Sequence, residues 1–323
     1  MAGRRRTGRR LRRILLAALA GLLLLEGGLR LVLGNFAQSR LLQRSALPGV
    51  CLENQPDVEL TYTGWFLRQP PTTMRTNALG GRGPEVPPPG ERPRVLLLGD
   101  SFTFGQGVEE DQTFGAALEE HLRALGTEVE VLNFGVPGHS QPQSVALLEQ
   151  RLLPLRPDLV LLVVFANDLS PVDSYCARGK NEVPAERFLL QNVYTARAAM
   201  MLGWAPGSFG AEASGDDTPA ERYEAALARA RDLGAEHGFG VGVVFLTDAD
   251  AFEDTRFCEG CPPAHSLDQA GLRTVDLGPL WHEFHDDVDA WFLAGENHFT
   301  PAANQRVGEA IAAAIAGWPE LHE

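Results

Sequence analysis

The stretch Val95-Leu-Leu-Leu-Gly-Asp-Ser-Phe-Thr-Phe-Gly105 decides how this chain is read. Four consecutive apolar residues mark a strand buried on both faces, as in a parallel sheet. The strand runs directly into Gly99, Asp100 and Ser101, and the small and aromatic residues that follow open a helix. That sequence of elements lifts one serine hydroxyl to the carboxyl end of the sheet. It also leaves neighbouring backbone N–H groups facing outward. A hydroxyl beside unpaired donors is half of an acyl-transfer site. The surrounding residues are not the Gly-x-Ser-x-Gly elbow of other serine hydrolases, so the remaining parts must come from elsewhere in the chain.

Working outward, strand and helix patterns alternate from Arg94 onward. Phe114, Leu118, Leu122 and Leu125 share one helix face, and residues 129–134 form the next strand. A helix over 145–153 precedes a long apolar strand over 158–165. Tyr223, Leu227 and Ala230 define another helix face, followed by a strand over 241–246 and a short one over 274–277. Val307, Ile311 and Ile315 mark the last helix. Such alternation predicts an α/β domain with a parallel sheet covered on both sides, binding its ligand at the carboxyl ends of the strands. Residues 203–219, rich in Gly, Ser, Ala and Asp, are expected to form a surface loop.

Three further blocks fall at those strand ends: Asn133-Phe-Gly-Val-Pro-Gly138, Phe165-Ala-Asn167-Asp168, and Glu296-Asn-His298-Phe-Thr-Pro301. With the serine block, and in this order, they resemble the serine, glycine, asparagine and histidine blocks of the SGNH (GDSL-type) hydrolases over residues 93 to 317. The resemblance implies a three-layer α/β/α flavodoxin-like sandwich with a central parallel sheet. It also implies a serine ester hydrolase that works through an acyl-serine intermediate without metal or organic cofactor. Ser101 would be the nucleophile and His298 the base. The oxyanion hole would use the N–H groups of Ser101 and Gly138 and the side-chain amide of Asn167.

The acid departs from the family pattern, because its usual position, three residues before the histidine, is Gly295 here. Glu296 is the nearest carboxylate and the first choice, with Asp289 and Asp287 as fallbacks and a Ser-His dyad as the remaining option. Asp100 and Asp168 are read as structural acceptors that tie down their loops. His139, beside Gly138, borders the expected pocket. Phe102, Phe104, Trp291 and Phe292 either line an acyl pocket or pack in the core.

Composition bounds the rest. The 323-residue chain carries a net charge of −14, although its first thirteen residues hold seven arginines and no acid. The remaining 21 basic against 42 acidic residues leave about −21, a surface that repels nucleic acid. Residues 1–13 read as a basic cytoplasmic tail and 14–33 as a signal-anchor helix. Counted through Leu33 this helix has about the 30 Å needed to span a bilayer, with Glu26 and Arg30 paired i, i+4. Cleavage as a signal peptide is the alternative, and either way the catalytic body lies outside the cytoplasm.

Residues 34–93 read as an extracytoplasmic linker and small N-terminal extension, and 94–323 as the hydrolase domain. Residues 77–83 resemble a short motif that precedes the serine block in anchored relatives, or form a plain loop. The proline-rich segment 87–93 should be extended. Cys51, Cys176, Cys258 and Cys261 suit an oxidising compartment and leave three pairings open. Cys258 and Cys261, with His265 and either His282 or His285, are the one zinc-like set. The Pro-Pro pair that follows and the lack of a second Cys-x-x-Cys favour a loop-stapling disulfide or free thiols. The expected partner is a small-molecule, lipid or glycan ester, with the membrane reached through the N-terminal helix. An envelope O-acyltransferase using the same serine and a non-catalytic binding relative are the rival readings.

Overall fold

The computed structural model describes residues 2–32, 41–63, 69–165, 195, 218–246, 271–285, 287–294 and 298–322. In chain order, α1 (Ala2–Val32) is followed by two hairpins, β1 (Leu42–Arg44) with β2 (Leu52–Asn54) and β3 (Glu59–Tyr62) with β4 (Thr72–Arg75). The main domain then runs β5 (Arg94–Leu98), α2 (Ser101–Phe104), α3 (Phe114–Ala124), β6 (Glu130–Asn133), α4 (Gln141–Leu147) and β7 (Leu159–Val164). It continues with α5 (Pro219–His237), β8 (Gly240–Phe245), β9 (Arg273–Val275), α6 (Gly278–His285), α7 (Val288–Trp291) and α8 (Pro301–Ile315).

Five parallel strands lie in the order β6-β5-β7-β8-β9. This is the doubly wound arrangement whose direction of winding reverses between β5 and β7, where such folds bind ligands. The apolar runs do not alternate because both faces are covered. Val95, Leu97, Leu159, Leu161 and Val163 pack with Phe114, Leu118 and Leu122 of α3 and Val307, Ile311 and Ile315 of α8. Leu96, Leu98, Val160, Leu162 and Val164 pack with Val145 and Leu147 of α4 and Tyr223, Leu227 and Ala230 of α5. Each fully buried aliphatic side chain is worth about 1.5–3 kcal/mol, so the two layers of helix lock the sheet from both sides. The result is a three-layer α/β/α sandwich. At the amino end of β5 the guanidinium of Arg94, only 2% exposed, pairs with Glu130 and donates to the carbonyl of Leu155.

The helix expected over 145–153 begins earlier, at Gln141. Ser140 enters it with extended backbone and Pro142 sits in its first turn, a start signal that the apolar spacing alone does not reveal. The helix continues as a π turn over Leu148–Leu152. The segment 203–217 lies outside the described residues, and Pro219 already begins α5 behind a Thr218–Glu221 capping box.

The N-terminal region, expected as a linker with a small N-terminal extension, carries two hairpins over residues 42–54 and 59–75 that lie against the β6 side of the sheet. Leu41, Leu60, Tyr62 and Met74 bury themselves against Phe104 of α2. Residues 77–83 form a tight loop in which Asn77 Oδ1 accepts the N–H groups of Leu79 and Gly81. Its Arg82 N–H donates to the Asn133 carbonyl at 2.8 Å, which extends the sheet by one bridge and covers the edge of β6. Burial lowers the Arg82 guanidinium to a pKa of about 10, and its charge lies 4.9 Å over the Phe104 ring. The proline-rich segment 87–93 carries neither helix nor strand, and its Pro87 carbonyl accepts from the Arg94 guanidinium.

The membrane expectation is not supported in the same way. Among the described residues no helix is long and apolar enough to cross a membrane. The uninterrupted apolar run between Arg13 and Glu26 is about 18 Å of helix, against a hydrocarbon core of about 30 Å. Glu26 does pair with Arg30, as its spacing predicts, and also accepts the Thr195 N–H at 2.9 Å. Leu33 lies outside the described residues.

Candidate active site

Three loops at the carboxyl end of the sheet meet here. The first follows β5. Asp100 is the N-cap of α2 and accepts the Phe102 N–H at 2.9 Å, which places Ser101 as the first residue of a single helical turn. The carboxylate of Asp100 is thus a structural acceptor, the role read from the sequence. The turn closes at Gly105, whose N–H reaches the Ser101 and Phe102 carbonyls.

The second loop follows β6. Val136 N–H donates to the Gly99 carbonyl at 2.9 Å and binds this loop to the serine loop. Asn133 reinforces the join, donating to the Thr103 carbonyl at 2.6 Å and accepting the Gly135 N–H at 3.0 Å. The approach is so close that a Cβ on Gly135 would lie 2.3 Å from the Phe104 nitrogen. Val136-Pro-Gly-His139 then makes a β-turn closed by the His139 N–H to Val136 carbonyl bond of 2.9 Å. Proline at its second position and Gly138 at φ 81° are the pattern of a type II turn, in which only glycine sits without strain. Among the described residues no acceptor meets the N–H of Ser101 or of Gly138.

The third loop precedes α8. Leu293 N–H donates to the His298 carbonyl at 2.8 Å and Thr300 N–H to the Trp291 carbonyl at 2.9 Å, which makes a tight reversal around the histidine. Thr300 is the N-cap of α8 and Pro301 opens its first turn. Asn304 locks this reversal to α3. Its amide donates to the carbonyls of Phe299 (3.2 Å) and Thr300 (3.0 Å), and its Oδ1 accepts the Phe114 N–H at 3.0 Å. The outcome is a 2.9 Å contact between His298 Nε2 and Ser101 Oγ, groups 197 positions apart in the chain.

The Phe102 ring stands 5.2 Å from the imidazole of His298, 4.3 Å from Phe165 and 4.8 Å from Phe299, and so backs the histidine. Phe104 and Phe292 are buried core, and Trp291 stacks on Phe284 at 4.2 Å. Of the fallback acids, Asp287 is taken up as the N-cap of α7 and Asp289 is exposed in the helix's first turn. Asn167, Asp168, Gly295 and Glu296 lie outside the described residues.

So do Cys176, Cys258, Cys261 and His265; Cys51, within the described residues, is disulfide-bonded. Among the described residues no group of three His, Cys, Asp or Glu side chains is placed to hold a metal ion. His139 is buried, its Nε2 lies 2.7 Å from the Leu52 carbonyl, and burial pushes its pKa down to about 4. A carbonyl only accepts, so Nε2 carries the proton and the ring is neutral. Asn54, Gln106 and Asn304 escaped the sequence reading because each has a partner far away in the chain: Asn54 donates to the Gly135 carbonyl, Gln106 donates to the Tyr62 hydroxyl, and Asn304 accepts the Phe114 N–H.

The model of the GDSL-like lipase/acylhydrolase family matches residues 97–260, half of the chain, and includes the serine and glycine loops. An arylesterase from Vibrio mimicus is 33% identical over 75 residues, which are 23% of this chain and 38% of that protein. The match therefore spans well under half of that relative's length. Among solved structures, a lipase/acylhydrolase from Enterococcus faecalis aligns at 18% identity and a TM-score of 0.42, covering 70% of this chain and 96% of its own. An acetylxylan esterase from Geobacillus stearothermophilus aligns at 15% identity and a TM-score of 0.45, covering 72% of this chain and 97% of its own. With its serine after the first strand of the sheet, its glycine turn after the second and the family model running through both, the chain belongs to the GDSL-like lipase/acylhydrolase family.

Proposed function

We propose that this chain hydrolyses carboxylic esters through an acyl-serine intermediate, with Ser101 as nucleophile and His298 as general base. The 2.9 Å contact between Ser101 Oγ and His298 Nε2 carries the reading. A serine hydroxyl is a weak nucleophile until a base accepts its proton. In the attack, the hydroxyl proton passes to Nε2 as the Oγ–C bond forms. The carbonyl π pair moves onto oxygen, where the N–H groups of Ser101 and Gly138 and the amide of Asn167 receive it. Collapse expels the alcohol, which takes the proton back from His298. Water then repeats the sequence on the acyl-serine and regenerates the hydroxyl. Each oxyanion donor is worth on the order of 10²–10³ in turnover. Glu296, two positions before the histidine, is assigned to orient its ring and stabilise the imidazolium.

The substrate class is a small-molecule, lipid or glycan ester. An aryl acetate is the first assay substrate, in keeping with the arylesterase relative. The body is assigned to the outer side of a membrane, held through the apolar part of α1. In support, Ile14, Leu23 and Leu24 are 64%, 64% and 78% exposed, an apolar face of the kind a lipid surface covers.

The test is Ser101→Ala. Aryl acetate hydrolysis and fluorophosphonate labelling should both vanish, and a variant that retains turnover refutes the assignment. Faster release of a trapped acyl group by a glycan than by water would place the chain among O-acyltransferases instead.

A further inference from the structure

We propose that the N-terminal hairpin β1–β2 sets the position of the Gly138 turn through Asn54 and His139, which makes these two side chains positioning residues for the reaction. The inference rests on the hydrolase reading above and adds a segment that lies outside the family match of residues 97–260.

The geometry is a grip from one strand on both ends of one turn. Before the turn, Asn54 Nδ2 donates to the Gly135 carbonyl at 2.9 Å. After it, His139 Nε2–H donates to the Leu52 carbonyl at 2.7 Å. Leu52 and Asn54 are the two ends of β2, so the span from Gly135 to His139 is held by three residues of strand. Asn54 is 1% exposed and His139 3%, and neither hydrogen bond faces competition from bulk water. The strand is itself held in place. Asn54 also donates to the Gly80 carbonyl at 2.9 Å, and the Cys51 N–H donates to Gln143 Oε1 at 2.9 Å, on the helix that leaves the turn.

A donor in an oxyanion hole acts only when it lies about 2.7–3.1 Å from the developing charge. The β6 strand fixes where the loop begins, but its hydrogen bonds end at Val136. Beyond that point the His139 N–H to Val136 carbonyl bond closes the turn on itself, and the His139 side chain adds a hold on the hairpin that fixes where the closed Pro137–Gly138 peptide sits. With its pKa lowered to about 4 by burial, the ring is neutral near pH 7 and holds this contact as a donor through Nε2–H. The same N-terminal region reaches the other two loops. Gln106, just after α2, donates to the Tyr62 hydroxyl at 3.1 Å, and Gln69 donates to the Ala294 carbonyl at 3.0 Å, ahead of His298.

The experiment compares His139→Leu, which keeps bulk and loses the donor, with His139→Gln, whose amide N–H restores it. Turnover of an aryl acetate is measured per active site, counted by fluorophosphonate titration of the full chain. For His139→Leu, kcat per titrated site should fall about ten- to a hundredfold while KM stays within about twofold. Affinity for a boronic acid that mimics the tetrahedral intermediate should fall by the same factor, and His139→Gln should recover most of both. Asn54→Ala removes the grip from the other side, should show the same split, and serves if His139→Leu does not fold. Unchanged kcat per site in the leucine variant, whatever its melting temperature, overturns the proposal. So does a loss in kcat that glutamine fails to rescue. If Ser101→Ala keeps wild-type turnover, the hydrolase reading falls and this inference with it. If Ser101→Ala is dead and His139→Leu is not slowed, the grip alone is wrong.

Discussion

Acidifying the protein from neutral pH to pH 4 should cost the fold on the order of 3 kcal/mol through a single side chain, His139. Its ordinary pKa is 6.5, and burial lowers it to about 4 in the folded state, with the Leu52 hydrogen bond and the charge of Glu53 opposing the shift only in part. Between those two values the unfolded chain binds a proton that the folded protein does not. Stability therefore rises with pH across this window and is lost on acidification. The penalty is absent above pH 6.5, grows at up to about 1.4 kcal/mol per pH unit, and is complete near pH 4. Across the whole window that amounts to about 3 kcal/mol, a large share of the roughly 5–15 kcal/mol of an ordinary domain.

Carboxylates held low by arginine, such as Glu149 beside Arg229 and Glu283 beside Arg306, also lose their stabilisation in acid, but as the pH falls below the usual carboxylate range. The clean measurement is therefore a difference. Urea unfolding free energies of the wild type and of His139→Gln are taken at half-unit steps from pH 4 to pH 8. The variant lacks the titrating ring and should show a flatter profile between pH 4 and 6.5, with the two curves parallel above that interval. Equal slopes in wild type and variant would show that this imidazole is hydrated or protonated in the folded state, and the burial argument would fail.

Other outcomes follow from the same contacts. Gly135→Ala places a methyl 2.3 Å from the Phe104 nitrogen and 2.7 Å from the Thr103 carbonyl carbon, both backbone atoms that cannot step aside. It should destabilise by about 1–3 kcal/mol and slow turnover, since the strain falls between the serine and glycine loops; melting temperature and kcat check both effects. Arg94→Ala leaves the largely buried Glu130 carboxylate without its partner and should cost about 3–5 kcal/mol in urea unfolding. Its kcat per folded molecule should match the wild type, because Arg94 lies at the far end of β5 from Ser101. Asn304→Ala removes two donors from the His298 reversal and one acceptor from α3. A loss of about 1–3 kcal/mol and a lower kcat are expected, with hydrogen exchange increased at the Phe114 amide.

The amino-acid sequence alone determined the core of this protein, because a strand covered on both faces must be apolar at every position. Residues 95–98 and 159–164 declare a parallel sheet for that reason, and Phe114, Leu118 and Leu122 declare the helix that covers one side. Ser101 and Gly138 were marked locally by a sharp exit from a strand and a Pro-Gly turn, and His298 by the resemblance of its block; the fold brings His298 Nε2 within 2.9 Å of Ser101 Oγ. What only the tertiary structure decided is everything held by one polar side chain reaching a remote carbonyl. Asn54 to Gly135 and His139 to Leu52 follow no period and no motif, because a backbone carbonyl presents the same acceptor whatever residue bears it. The short hairpins of residues 41–75 read as a connecting region for the same cause. Their few apolar side chains, Leu41, Leu60, Tyr62 and Met74, have no face of their own to bury until Phe104 supplies one.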